Sequence, residues 1–176
     1  MKEHYNTMNT EKHWFALYTK PRSEFKAGEQ LSEAGIDYYL PTITRLKQWS
    51  DRKKKITEPL LRGYIFIFAD ERERAISVEQ KAVVKCLFDQ GKPAVIPQWQ
   101  IDSLKRMLEI KADVIVHNGI IPGARVIIKN GPFEGITGKI LQNEKGKSIS
   151  VSIHLLNRAV IAKIPDESIL ELVKDS

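Results

Sequence analysis

Hydrophobic residues follow two spacings near the start of the chain. The short aromatic run HWFALY, residues 13–18, predicts a strand. Beyond Pro21, apolar residues recur at helical spacing, with Ser23 placed to cap a helix and Gly35 placed to end it in a left-handed conformation. The pattern therefore predicts a strand, a helix and a turn.

The next segment predicts a meander of strands. Tyr38–Leu46 is followed by a polar turn through Ser50 and Asp51 and a return through Ile56. The run Tyr64–Phe68 is almost continuously apolar, so we expect it to be the central strand, covered on both faces.

Further elements follow in the same part of the chain. Residues 70–81 are compatible with a surface helix, and residues 83–88 with a short strand before a turn at 91–93. After Pro97 the apolar positions again fall on one helical face. The sequence therefore predicts an α+β domain with a mainly antiparallel sheet and a sandwich-like arrangement, ending near residue 110.

Composition changes at Pro122, after which glycine and β-branched residues predominate. Short strands are predicted at 125–129, 138–143, 148–154 and 159–164. So few short strands do not make a stable open sheet, and we expect them to close into a small barrel. The predicted organisation is a flexible tail (1–11), a first domain (12–110), a linker (111–120) and a barrel domain (121–174).

Charge and motif content narrow the function. The 176 residues include 28 Lys and Arg against 22 Asp and Glu, a formal net charge of +6. This bias favours a polyanionic partner, although an ordinary basic protein accounts for the charge equally well. No phosphate-binding loop, nucleophile elbow or zinc-protease motif occurs, so we predict no enzymatic activity, no cofactor and no catalytic residue.

Cysteine and histidine content indicates a reducing compartment. Cys86 is the single cysteine, and the four histidines show no zinc-ligand spacing, so no metal site is predicted. The first residues lack a signal-peptide pattern, and no apolar run reaches the roughly 20 residues of a membrane span. We expect a cytoplasmic protein without membrane association.

The strongest charge cluster lies in the predicted hairpin. Residues 45–62 contain seven Lys or Arg and two Asp or Glu, so they carry +5 of the net +6. A hairpin of this kind can bind phosphates, and Trp49 can stack on an unpaired base. The alternative is a solvated hairpin tip. The residues predicted to bind nucleic acid here are Trp49, Arg52, Lys53, Lys54 and Lys55.

A second polar group surrounds the start of the first helix. Lys20 and Arg22 precede the helix, and Lys26 and Gln30 are spaced i, i+4 along it. A phosphate could bind there, but nearby glutamates balance the charge. Composition alone therefore favours an ordinary salt-bridged surface.

Several segments occur in an order that resembles a known family. HWFALYTKPR, YLP, QWSDRKK, EPLLRGYIFI and GKPAVIP resemble the N-terminal (NGN) domain of NusG-type transcription elongation factors, and residues 122–140 resemble the KOW motif that follows it. The similarity spans about residues 12–172. The hairpin and the LYTKPR opening are most similar to specialised RfaH and UpxY-type antiterminators.

The resemblance implies a factor that binds RNA polymerase and suppresses pausing or termination at specific operons. In the family, the first domain binds the clamp helices of the largest polymerase subunit. The matching aromatic positions are Tyr64, Phe66 and Phe88. The alternative for Phe66 and Phe88 is a place in the core.

The resemblance also implies contacts to non-template or upstream DNA. The matching positions are Lys20, Lys26, Gln30 and Lys81. Here Lys26 stands in place of an arginine and Gln30 in place of a histidine, so the bases read do not follow from the comparison. Residues 75–78 also lack the His-Thr-Thr run that bridges the polymerase cleft in RfaH.

The KOW-like segment is interpreted mainly as barrel structure. Its motif residues are Gly131, Pro132, Phe133, Gly135 and Gly138, which suit a tight turn, a barrel cover and close backbone approach. The resemblance implies a partner such as a small-subunit ribosomal protein or Rho. We expect a monomer whose C-terminal domain is a barrel in isolation. The alternative function is a KOW-containing RNA-binding or ribosome-associated protein.

Overall fold

A computed structural model describes residues 10–174, so the predicted flexible tail (1–11) lies almost entirely outside the described residues. The elements, in chain order, are β1 (His13–Thr19), α1 (Glu24–Glu33), β2 (Asp37–Tyr39), β3 (Thr42–Gln48), β4 (Lys53–Pro59), β5 (Tyr64–Ala69), α2 (Glu71–Val78), β6 (Val83–Cys86), β7 (Phe88–Asp89), β8 (Lys92–Pro93), β9 (Val95–Ile96), α3 (Gln98–Glu109), β10 (Val114–Asn118), β11 (Arg125–Ile128), β12 (Thr137–Asn143), β13 (Gly146–Ile153), a 3-10 turn (His154–Leu156), β14 (Arg158–Lys163) and β15 (Leu170–Leu172).

These elements form two compact units. The first unit contains the described residues up to Leu40 together with Leu61–Val95, and the second contains Pro41–Leu60 and the described residues from Ile96 onward. The hairpin of β3 and β4 therefore groups with the C-terminal elements, although it lies within the N-terminal domain predicted from the sequence.

The first unit is built on a sheet whose main path runs β2-β5-β1-β6. Each neighbouring pair on this path is antiparallel. β5 occupies an interior position, as its apolar run predicts. The fold is mixed α/β with mainly antiparallel sheets.

One face of this sheet forms the core of the first unit. Leu17 from β1 and Ile65 and Ile67 from β5 are fully buried with Leu31 from α1. α1 packs closely because Gly28 has no side chain: a Cβ there would lie 2.9 Å from the Tyr38 ring. Burial of these apolar side chains is the main stabilising contribution to the unit.

The helix ends differ in how they are capped. Ser23 occupies the N-cap position of α1, but its side chain makes no capping hydrogen bond and instead donates to the Pro21 carbonyl at 3.3 Å. Asp70 caps α2 fully: its side chain accepts from the Glu73 N–H at 2.8 Å, and Glu73 accepts from the Asp70 N–H at 3.0 Å. Gly35 follows α1 with φ of +71°, the predicted left-handed conformation.

The second unit contains a six-stranded antiparallel sheet in the order β10-β14-β13-β12-β11-β15. In the described part of the chain this order is a linear path, so hydrogen bonding does not close the predicted barrel. Two edge strands were not predicted. β10 lies within the expected linker, and β15 is a three-residue strand with weak alternation.

α3 packs against β12 and β13 of this sheet. Ile149, Val151 and Ile153 are buried on one face of β13, whereas Ser150 and Ser152 are buried on the other. The Ser103 hydroxyl of α3 accepts from the Thr137 N–H at 3.0 Å. Helix and sheet therefore meet through polar as well as apolar groups.

None of the helices within residues 10–174 is long and apolar enough to cross a bilayer.

Candidate functional site

Aromatic side chains gather on the face of the first sheet opposite its core. The β1–β5 register places Tyr18 opposite Tyr64 and Trp14 opposite Phe68. Their ring centroids are 5.6 Å and 5.3 Å apart, respectively. These four residues, together with Phe66 and Tyr39 in the same rows, are called the aromatic face.

The three predicted polymerase anchors occupy different environments. Tyr64 is half-buried at the start of β5. Phe66 is 0% exposed, and its ring stacks with Tyr39 at a centroid distance of 6.3 Å. Phe88 is 55% exposed in β7, with the Arg74 guanidinium 6.0 Å from its ring centroid. Tyr64 and Phe88 therefore reach the surface directly.

The sequence reasoning did not select four residues of this face, which are Trp14, Tyr18, Tyr39 and Phe68. Tyr18 is 37% exposed and Tyr39 is half-buried. The period-two alternation of HWFALY could have indicated Tyr18, since it places that residue on the same face as Trp14. Tyr39 joins the face only through pairing of β2 with β5.

Three predicted nucleic-acid residues are brought together around Ala82. The Lys20 N–H donates to the Ala82 carbonyl at 2.9 Å. The Ala82 N–H donates to Oε1 of Gln30, also at 2.9 Å. Lys81 adjoins Ala82 in the chain, so Lys20, Gln30 and Lys81 form one cluster, which we call the Ala82 cluster.

The two remaining cations of this region flank the start of α1. Arg22 has φ of +57° in the turn before the helix, and both Arg22 and Lys26 are exposed. Glu24 does not offset them at the surface, because its side chain is buried and accepts from the Gly63 N–H at 2.8 Å.

The second unit carries the cationic hairpin predicted from the sequence. β3 and β4 pair from Thr42 opposite Pro59 to Gln48 opposite Lys53. At the tip, the Trp49 N–H donates to the Arg52 carbonyl at 2.8 Å, and the Trp49 side chain is 55% exposed.

Most of the hairpin cations face solvent. Lys47 lies opposite Lys54 in the register and bonds Glu58 at 3.3 Å. Directly opposed like charges destabilise a strand pair, which favours an anionic partner along this hairpin. The exposed residues include Arg45, Arg52, Lys53, Lys54 and Lys55.

The glycine-rich motif of the second unit, residues 131–138, forms a turn and allows close packing of adjacent strands. Gly131 has φ of +74°, and Phe133 is buried just after the turn. A Cβ on Gly138 would collide with the Ser150 carbonyl oxygen. Gly135 also has a positive φ, and Pro132 is exposed in the turn.

The pKa values of Cys86 and His154 are both shifted. Burial raises the pKa of the Cys86 thiol. The pKa of His154 is lowered from its ordinary 6.5. Partial burial is the main cause, and the nearby positive charges of Lys139 and Arg125 contribute less. Among residues 10–174, no three His, Cys, Asp or Glu side chains gather in a way that could hold a metal ion.

Aromatic side chains at the surface of one unit, and cations exposed on both, are groups suited to contacts with other macromolecules. A family model described as "Transcription termination factor nusG" matches residues 12–105, which is more than half of the chain. The chain belongs to the NusG family.

The chain is also similar to three solved structures. NusG from Thermotoga maritima, in a study of its domain interaction, is 19% identical with a TM-score of 0.47, and the match covers 93% of this chain and 98% of that chain. Conformation A of the MjSpt4:Spt5 complex is 15% identical with a TM-score of 0.28, covering 93% and 99%. Conformation B is 15% identical with a TM-score of 0.28, covering 92% and 97%.

Proposed function

We propose that this chain is a transcription elongation and antitermination factor that binds RNA polymerase and suppresses pausing or termination at specific operons. The observation that carries the proposal is the family match over residues 12–105. The protein catalyses no chemical reaction in this proposal. Its effect comes from preferential binding to actively elongating polymerase, which shifts the population away from paused states.

The polymerase contact is assigned to the surface aromatic residues of the first unit. Tyr64 and Phe88 contact the clamp helices of the largest subunit, with Tyr18 beside Tyr64. Phe66 lies on the same face of the sheet as Tyr64 and holds Tyr39 in place through ring stacking. Aromatic side chains that are already held in place bind a partner with a small loss of conformational entropy.

The nucleic-acid contact is assigned to two cationic surfaces. The Ala82 cluster, with Arg22 and Lys26, approaches the non-template strand. The hairpin approaches upstream DNA, where its lysines contact phosphates and Trp49 stacks on a base.

The domain assignment follows the same proposal. Residues 12–110 form the NGN domain, and residues 121–174 form a KOW domain that recruits a second protein, such as a small-subunit ribosomal protein or Rho. The connecting residues 111–120 include β10, which pairs with β14 of the KOW sheet. The QWSDRKK hairpin supports a specialised paralogue of the RfaH or UpxY type. The factor acts as a monomer in the cytoplasm.

In vitro transcription with the cognate polymerase tests the polymerase contact. Tyr64→Ala combined with Phe88→Ala is compared with Phe25→Ala, which removes an exposed aromatic ring from α1. We expect the double variant to bind polymerase at least about tenfold more weakly and to lose its effect on pausing. Phe66 is left intact because truncating a buried ring would destabilise the fold.

A second comparison tests the hairpin. Lys53, Lys54 and Lys55 are changed together to alanine. The control changes Lys85, Lys92 and Lys145, which are also exposed. We expect only the hairpin variant to lose the antipausing effect on duplex templates and to show a shallower dependence of DNA affinity on salt. Equal losses would indicate a diffuse effect of net charge.

The wild-type result decides the function itself. If the wild-type protein neither binds polymerase nor changes elongation, the proposal is wrong. RNA binding in the absence of polymerase would then support a KOW-containing RNA-binding or ribosome-associated protein.

A further inference from the structure

A cavity of about 220 Å³ lies in the second unit, between the start of α3 and the six-stranded sheet. This volume exceeds the roughly 30 Å³ that one water molecule occupies in the liquid. Its polar lining includes Arg125, Lys139, Ser150, Ser152 and His154, with Trp99 on the helix side. None of the described residues that line it is acidic.

The cations of this cavity are placed side by side by strand register. Arg125 on β11 lies directly opposite Lys139 on β12, and Lys139 lies opposite Ser150 on β13. The three side chains therefore form one row on the same face of the sheet, and Ser152 follows two residues along that face. The register thus brings two cationic side chains and two hydroxyl groups to one face of the sheet.

The hydroxyl groups give a second and independent indication of a ligand. Ser150 is 0% exposed and Ser152 is 3% exposed, and neither Oγ atom has a hydrogen-bond partner within residues 10–174. A buried hydroxyl without a partner is unfavourable. Both hydroxyls line the cavity, so a ligand with acceptor oxygens would satisfy them.

Two contacts restrain side chains that line the cavity. The Arg125 guanidinium lies 4.8 Å from the Trp99 ring centroid, a cation–π contact that restrains this side chain. The Gln100 side chain contacts Nδ1 of His154 at 2.9 Å. The lowered pKa of His154 reflects in part the positive charges of Lys139 and Arg125.

We propose that this cavity binds a phosphate group, with Arg125 and Lys139 compensating its charge and the hydroxyls of Ser150 and Ser152 donating to its oxygens. A phosphate carries up to two negative charges and several acceptor oxygens. The cavity offers four donor side chains from three strands. A phosphate can bind all four, whereas a carboxylate has a single charge and only two oxygens. The phosphate is either inorganic or the terminal phosphate of a nucleic acid.

The full chain is titrated with inorganic phosphate at constant ionic strength, and the amide and imidazole NMR signals are followed. We expect saturable shifts at residues 125, 139, 150 and 152, together with a rise in the pKa of His154 as the anion offsets the two cations. Acetate at the same concentration serves as the carboxylate probe and should give weaker shifts.

Lys139→Gln removes one of the opposed charges, and Lys163→Gln removes an exposed lysine from β14 of the same sheet. We expect Lys139→Gln to weaken phosphate binding about tenfold or more and Lys163→Gln to leave it unchanged. Ser150→Ala provides a readout that a structural role would not produce. It should weaken phosphate binding while leaving the ligand-free protein as stable as wild type or more stable.

An oligonucleotide with a 5′-terminal phosphate is compared with the same oligonucleotide lacking it, which distinguishes the two sources of the group. Tighter binding of the phosphorylated form that Lys139→Gln abolishes assigns a nucleic-acid end, whereas equal binding of the two forms assigns inorganic phosphate. The proposal is overturned if phosphate produces no saturable shifts, or if Lys139→Gln and Lys163→Gln bind phosphate equally well.

Discussion

The Oε1 atom of Gln30 accepts a hydrogen bond of 2.9 Å from the backbone N–H of Ala82, 52 residues further along the chain. Because Ala82 is buried, water cannot readily replace Gln30 as the acceptor for its N–H. This bond holds the loop that carries Lys81 beside α1. Gln30, which the family resemblance assigned to DNA contact, therefore also has a structural role.

Replacing Gln30 with alanine should lower the free energy of unfolding by about 1–3 kcal/mol, because a buried N–H would lose its acceptor. Urea denaturation measures the change. Glu29→Ala, at an exposed position of the same helix, should have an effect within about 0.5 kcal/mol. Equal effects of the two variants would mean that the bond contributes little to stability.

The capping box of α2 gives a second prediction. Asp70→Ala removes the acceptor for the Glu73 N–H and should cost about 1 kcal/mol of stability. Asp70→Asn retains a capping oxygen and should cost much less. The difference between the two variants in thermal or urea unfolding isolates the cap, and similar losses would contradict this assignment.

Gly138→Ala should destabilise the second unit by about 1–3 kcal/mol, because its new Cβ would collide with the backbone carbonyl of Ser150 in the adjacent strand. Gly131→Asn is the matched comparison. Gly131 has a positive φ that asparagine tolerates, and a Cβ there meets nothing within 4 Å. Unfolding by urea, followed through amide signals of β12 and β13, should show the larger loss for Gly138→Ala.

His154 should make stability depend on pH. Its pKa in the folded chain lies below the ordinary 6.5, so between these two values the unfolded chain binds more protons than the folded chain. Stability therefore rises with pH through this window and is lost as pH falls through it. Urea midpoints measured from about pH 5 to about pH 8 should show this rise in wild type.

His154→Gln provides the control for that dependence. The substitution removes the titrating group, so the rise in urea midpoint attributable to His154 should disappear while the contributions of other histidines remain. NMR titration of the imidazole gives its pKa directly. A value at or above 6.5 in the absence of added anions would contradict the prediction.

Local pattern was sufficient for most of the secondary structure. The HWFALY run, the apolar run beginning at Tyr64 and the amphipathic segment after Pro97 form β1, β5 and α3, since each carries its own periodicity. Gly35 ends α1 as predicted because a left-handed residue is a local requirement. The cationic hairpin with its turn near Ser50 and Asp51 was also evident from neighbouring residues.

Tertiary structure decided what depends on contacts between distant segments. Short edge strands such as β10 and β15 gain their hydrogen bonds only from partners already in place, so their sequences alone did not indicate them. Tertiary packing leaves Phe88 exposed, whereas Phe66 is buried as expected for a strand covered on both faces. The opposition of Arg125 to Lys139 follows from strand register, which no local pattern of charges determines.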